Sequence, residues 1–199
     1  MEMQESRPLL ERCRSLSTGA ATPGPHLMRS VLKAGDLSDA EIATLGSADP
    51  SKPYGRRVLF ATAALEGMLA TWTRGVPCAP HDHGGSFGAV RVLRGVSRHK
   101  VWKVVDGRIE LQFEELVEPG GVMSCGRDVI HSMGDAGADE SLVTLHLYHD
   151  AIDFMVVYDV DAGSTHIVDG SCGAWIPYDE PHQIRSSHPG IVAPKQLLA

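Results

Sequence analysis

The chain has 199 residues, 43% of them hydrophobic, and carries a formal net charge of −7. Such a length suits one domain with a sizeable core, and such a charge opposes binding along a nucleic-acid backbone, which calls for a basic stripe. No apolar run approaches the roughly 18 residues of a membrane span, and the charged start MEMQESRPLLERCRS has no secretory apolar region, so a cytoplasmic protein without membrane partners is expected.

The first fifty or so residues read as helical with loops. HLMRSVLKA suits a helix, and Ser38 followed by Glu41 fits a capping box over DAEIATL. From about residue 54 the pattern turns to strands. RRVLFAT is a short apolar run, and LEGMLATW is ambiguous but ends in strand-favouring residues. HDHGGSFGAVRVLRG follows, then SRHKVWKVV up to the hairpin pair Asp106-Gly107. RIELQFEEL alternates as a half-buried strand, with Ile109, Leu111 and Phe113 on one face. VMSC, VIHSM, SLVTLHLYH and AIDFMVVYDV continue the series, and the tail is expected to pack on the outside. Short strands between frequent Gly and Pro turns predict a mainly β fold, a cupin or jelly-roll barrel over about 54–175 behind a helical segment of about 1–50. The whole of 1–199 is expected to form one domain. Cys13, Cys78, Cys125 and Cys172 show no CxxC spacing and read as free thiols. No nucleotide-cofactor motif is present.

Three groups of residues carry chemistry. His81 and His83 stand two apart, so on a strand both rings share one face while Asp82 turns away. Neutral imidazoles in that arrangement suit iron, zinc, nickel or copper, although a hydrogen-bonded pair without metal has the same spacing. His131, on a later strand, supplies a third ligand position. Thr144, His146 and Tyr148 alternate onto one face of SLVTLHLYH, either as a buried hydroxyl–imidazole–phenol relay or as a solvated sheet face. His149, on the other face, reads as a surface residue.

Together these stretches resemble the cysteine dioxygenase family, the thiol dioxygenases of the cupin superfamily. The resemblance covers roughly residues 50 to 160 and rests on Tyr54-Gly55-Arg56, Trp72, HDHGGSFGAVRVLRG, His131 and SLVTLHLYH. It implies Fe(II) on His81, His83 and His131, and a relay of Thr144, His146 and Tyr148 with threonine in the place of serine. It implies substrate contacts from Arg56, Tyr54 and Trp72, with Arg56 on the substrate carboxylate. Gly88 stands where animal members carry a cysteine crosslinked to the relay tyrosine. Ser132-Met133-Gly134-Asp135 departs from the usual Arg-Val-x-Asn, so Met133 forms a different wall beside the metal. The expected activity is oxidation of L-cysteine to its sulfinate with O2, by a monomer. Alternatives are another carboxylated thiol (3-mercaptopropionate, or mercaptosuccinate with Arg57 or Arg74 as a second anion contact) and a metal-binding cupin of another activity.

Overall fold

The computed structural model describes residues 9–16, 23–38, 40, 42, 49–62, 64–137 and 139–197. The capping box at Ser38 and Glu41 and the helix expected after it fall largely outside these residues.

Helix α1 (Leu9–Ser15) buries Leu9 and Cys13, one turn apart. Helix α2 (Pro25–Lys33) begins with proline, whose missing N–H costs nothing at a helix start, and buries Met28, Val31 and Leu32 on a single stripe. Buried Arg91 donates to the Leu32 carbonyl at 2.6 Å and also to the Gly35 carbonyl, which satisfies acceptors left over at the end of α2.

Eleven strands follow among the described residues: β1 (Tyr54–Ala61), β2 (Glu66–Trp72), β3 (Phe87–Arg94), β4 (Ser97–Val105), β5 (Arg108–Val117), β6 (Val122–Cys125), β7 (Ile130–Asp135), β8 (Val143–His149), β9 (Phe154–Asp159), β10 (Ser164–Asp169) and β11 (Ile184–His188). One sheet has the order β1-β2-β8-β3-β6, and the others run β5-β4-β7 and β11-β10-β9. His81 links the last two by isolated antiparallel bridges to His131 on β7 and Val157 on β9. Every ladder is antiparallel, so alternation decides which side chains meet.

The five-stranded sheet is apolar on both faces. Leu69, Phe87, Ala89, Leu145 and Leu147 pack under α1 and α2. Met68, Ala70, Trp72, Val90 and Tyr148 turn the other way and meet Met133, Val157 and Val168 of the second layer. Burying both faces explains why LEGMLATW is a strand despite its continuous apolar character.

Three expectations need correction. The HDH segment lies outside the strands: His81 makes isolated bridges, Asp82 donates its N–H to the Val156 carbonyl at 3.0 Å, and a turn follows His83. β5 is not half-buried. It is the edge of its sheet, with Leu111 45% and Phe113 50% exposed, so among the described residues it pairs on one side only. The tail does not simply lie outside: β10 buries Val168, and Cys172 and Ala174 join the central core, since β9 needs a partner on its free edge. The Asp106-Gly107 hairpin is as read, with both residues in the left-handed region at φ 48° and 72°.

Candidate metal centre and cavity

His81, His83 and His131 come together, with one ring nitrogen from each within 4.8 Å of the others. All three are buried. The backbone brings two of them together directly: the N–H of His81 donates to the carbonyl of His131 and the reverse, both at 2.9 Å. His83 arrives from the turn that follows, where Asp82 accepts the Gly84 N–H at 2.7 Å. Gly84 adopts φ +60° with the Phe154 carbonyl 2.4 Å from where a Cβ would sit, so only glycine fits this turn without strain.

The protonation pattern suits a cation. Burial holds His81 down to about 4 and His83 and His131 well below the ordinary histidine range, so all three rings are neutral at neutral pH. His81 donates its Nδ1 proton to the Ala79 carbonyl at 2.9 Å, and His131 Nδ1 meets His99 Nε2 at 3.2 Å. Fixing those protons leaves the opposite nitrogens with lone pairs. The Nε2 atoms of His131 and His83 face each other 3.3 Å apart. A metal ion between the three rings satisfies them together, and an all-imidazole face suits iron, zinc, nickel or copper.

A second chain of polar groups reaches the same place. Trp72 Nε1 donates to Thr144 Oγ1 at 2.8 Å; Thr144 Oγ1 lies 2.7 Å from His146 Nε2; His146 Nδ1 lies 3.1 Å from Tyr148 Oη. Indole can only donate to Thr144, which leaves the hydroxyl its own proton to give; where it gives that proton to His146 Nε2, His146 Nδ1 donates to Tyr148. The Tyr148 proton is then free to point at the centre, and its oxygen lies 3.2 Å from His83 Nε2. The relay is buried throughout, so the solvated-face alternative does not apply. Desolvation keeps His146 neutral, lowered to about 3, and raises Tyr148 well above its usual value, so the phenol holds its proton.

His81, His83, His131, His146 and Tyr148 line one cavity with Tyr54, Arg56, Met68, Trp72, Met133, Ile152 and Met155. Tyr54 and Arg56 share a strand face. Tyr54 packs against Trp72 and Trp175 and accepts the Ala174 N–H at 2.8 Å. Arg56 donates to the Gly170 carbonyl, so the tail segment after β10 positions it. Arg57 and Arg74 are exposed and do not line this cavity. His149 is not a surface residue; it is buried and stacks on Phe87.

Sequence reading missed several features. Met68 and Ile152 complete the cavity wall. Glu66 is a buried carboxylate paired with Tyr148 across the β2–β8 ladder, raised by desolvation and pulled back by the Arg56 charge. Its signal was an acid inside a strand that is otherwise apolar. His99 and Glu115, behind His131, gave no local signal beyond polar residues in alternating strands.

No curated protein matches the chain. Solved structures with a similar course include KdgF from Halomonas sp., with TM-score 0.43 and 18% identity over 58% of this chain and 94% of that one. A conserved protein with a double-stranded β-helix domain from Klebsiella pneumoniae gives TM-score 0.48 and 14% identity over 62% of this chain and 96% of that one. An oxalate oxidase gives TM-score 0.47 and 14% identity over 66% of each chain. Among the described residues no helix is long and apolar enough to cross a membrane. Residues 26–161 match the family described as cysteine dioxygenase type I, a span that holds α2, the three histidines and the relay. By that match the chain belongs to the cysteine dioxygenase type I family, and with its three-histidine cluster it is a cupin-type metal-binding enzyme.

Proposed function

We propose that the chain is a thiol dioxygenase that uses Fe(II) and O2 to oxidise L-cysteine to cysteine sulfinate. The observation that carries this reading is the convergence of three neutral histidines, the Tyr148 phenol and the Arg56 guanidinium on one cavity. Both atoms of O2 end on sulfur, so the thiol becomes a sulfinic acid without a further reductant.

Bound Fe(II) supplies the Lewis acidity that holds a thiolate and the electrons that activate dioxygen. The residues do the rest. Three neutral imidazoles bring no negative charge to the centre, unlike the common two-histidine, one-carboxylate set, so a thiolate substrate balances the charge. Arg56 presents a planar fork to the substrate carboxylate. Tyr148 directs its phenol proton at the reacting atoms, held by the line from Trp72 through Thr144 and His146. Met68, Met133, Ile152 and Met155 keep water from the rest of the wall.

The test is an aerobic assay on iron-loaded protein with cysteine, 3-mercaptopropionate, mercaptosuccinate and cysteamine in parallel, following oxygen uptake and sulfinate. Cysteine is expected to give the highest kcat/KM. Preference for a thiol acid without an amine moves the substrate to that compound, and absence of sulfinate from every thiol overturns the dioxygenase reading.

A further inference from the structure

His131 is the third histidine of the centre, and what stands behind it is unlike what stands behind the other two. His81 rests on a backbone carbonyl. The Nδ1 of His83 is buried without a hydrogen-bond partner. His131 instead meets another imidazole, His99 Nε2, at 3.2 Å, and His99 Nδ1 meets Glu115 Oε1 at 3.0 Å. The ladders dictate this line. β4 lies between β7 and β5, with Val101 opposite His131 and His99 opposite Glu115. His99 is two residues from Val101, hence on the same face as His131 and diagonal to it. The His99 side chain is 6% exposed and that of Glu115 50%, so the line runs from the buried centre to the solvent edge of β5.

The directions along the line are fixed from its outer end. A carboxylate only accepts, so Glu115 takes the His99 Nδ1 proton, and in the tautomer that carries it there His99 Nε2 is the acceptor. His131 Nδ1 must then donate to His99, which leaves His131 Nε2 with its lone pair facing His83 and His81. A ligating imidazole whose other N–H is held by an acceptor is oriented in one tautomer and made a stronger donor, the usual arrangement being a single carboxylate or carbonyl behind the ring. Here a second histidine stands between, so the carboxylate acts one ring further out, at the solvent edge.

We propose that His99 and Glu115 are positioning residues for the metal centre: through the proton on His131 Nδ1 they fix its tautomer and raise its strength as a metal ligand. This rests on the reading of His131 as a ligand. No role for the pair in holding substrate is implied, since neither lines the cavity.

The experiment measures Fe(II) affinity of the full chain by competition with a chromophoric chelator, and the visible spectrum of the Co(II)-loaded protein, for the unaltered chain, His99→Phe and Glu115→Gln. Loss of a hydrogen-bond partner behind a ligating histidine weakens metal binding by about 10- to 100-fold. His99→Phe is expected to fall in that range. Glu115→Gln keeps an acceptor oxygen but removes the charge, and is expected to weaken binding by about 3-fold or more and to shift the Co(II) bands. Glu115 is half exposed, so this variant folds even where His99→Phe does not. Glu115→Gln with unchanged affinity and spectrum overturns the inference while leaving the centre intact. If the unaltered chain itself binds no Fe(II), the reading of the centre falls and the inference with it.

Discussion

The phenol oxygen of Tyr148 stands 3.2 Å from Nε2 of His83, the nitrogen that also faces His131. On the proposed function, a phenol this close to a ligand nitrogen is placed to act on what binds between the histidines.

Tyr148→Phe removes that hydroxyl and little else, because the ring stays packed on Gly88. The variant is expected to keep its iron content and fold and to lose about 100-fold in kcat, the size of a positioned proton donor's contribution. Oxygen uptake together with metal analysis checks this. Full activity in Tyr148→Phe would show the phenol to be a spectator.

Arg56 faces the same cavity and is anchored at Gly170. Arg56→Lys replaces a planar fork with a point charge, which is not conservative where a carboxylate is clamped. It is expected to cost about 100-fold in kcat/KM for cysteine, mostly through KM, since truncating one partner of a buried charge pair costs about 2–5 kcal/mol. Cysteamine lacks the carboxylate, so any turnover of it is expected to change little. An equal loss on both thiols would assign Arg56 a structural role instead.

Gly88 shows how much the wall near Tyr148 is fixed by packing. A Cβ there would lie 2.4 Å from the Leu147 carbonyl oxygen and 2.5 Å from Tyr148 Cδ1. The first neighbour is backbone in the β3–β8 ladder and cannot step aside cheaply. Gly88→Ala is therefore expected to lower stability by about 2 kcal/mol, as overpacking does, and to lower kcat by displacing the phenol while iron binding persists. Thermal unfolding and oxygen uptake measure the two effects. A Gly88→Ala protein with unchanged Tm and rate would mean that the strands separate there freely.

Local pattern was enough for part of this. Tyr148 and His146 are two residues apart on β8, and Tyr54 and Arg56 likewise on β1, so strand alternation puts each pair on one side. His81 and His83 instead meet from a bridge and the segment before a turn. The hairpin at Asp106-Gly107 was readable from its turn residues, while His131 joined the pair through the family resemblance. What depended on strand neighbours was not. The line from His131 to Glu115 exists because β4 lies between β5 and β7, and no spacing in the sequence says so. β5 alternates cleanly yet is exposed, because burial belongs to the sheet edge and not to the pattern. The anchoring of Arg56 by Gly170 joins residues 114 positions apart, across a tail read as peripheral.

Acid should reveal the buried histidines. His81 is held down to about 4 and His146 to about 3, both chiefly by desolvation, and His83 and His131 are lowered further in the same direction. Unfolded, each takes up a proton near pH 6.5. Between pH 6.5 and 4 the unfolded chain therefore binds protons that the folded one refuses, and stability falls as pH falls. His81 alone contributes about 3 kcal/mol of this loss across its window. Asp82 works in the opposite sense: burial raises it to about 6, so the folded carboxyl takes a proton before the unfolded one does. Glu66 is raised by burial in the same sense as Asp82, but these two carboxyls do not offset four buried histidines, and domains hold only about 5–15 kcal/mol in reserve. The metal-free protein is expected to be most stable above pH 6.5 and to unfold before pH 4. Ligation by Fe(II) opposes protonation of the same rings, so iron-loaded protein is expected to resist to lower pH and then release metal as it unfolds. Urea unfolding at stepped pH, with and without iron, measures both curves. A flat metal-free curve from pH 7 to 4.5 would mean that the histidines are hydrated in solution and protonate without cost.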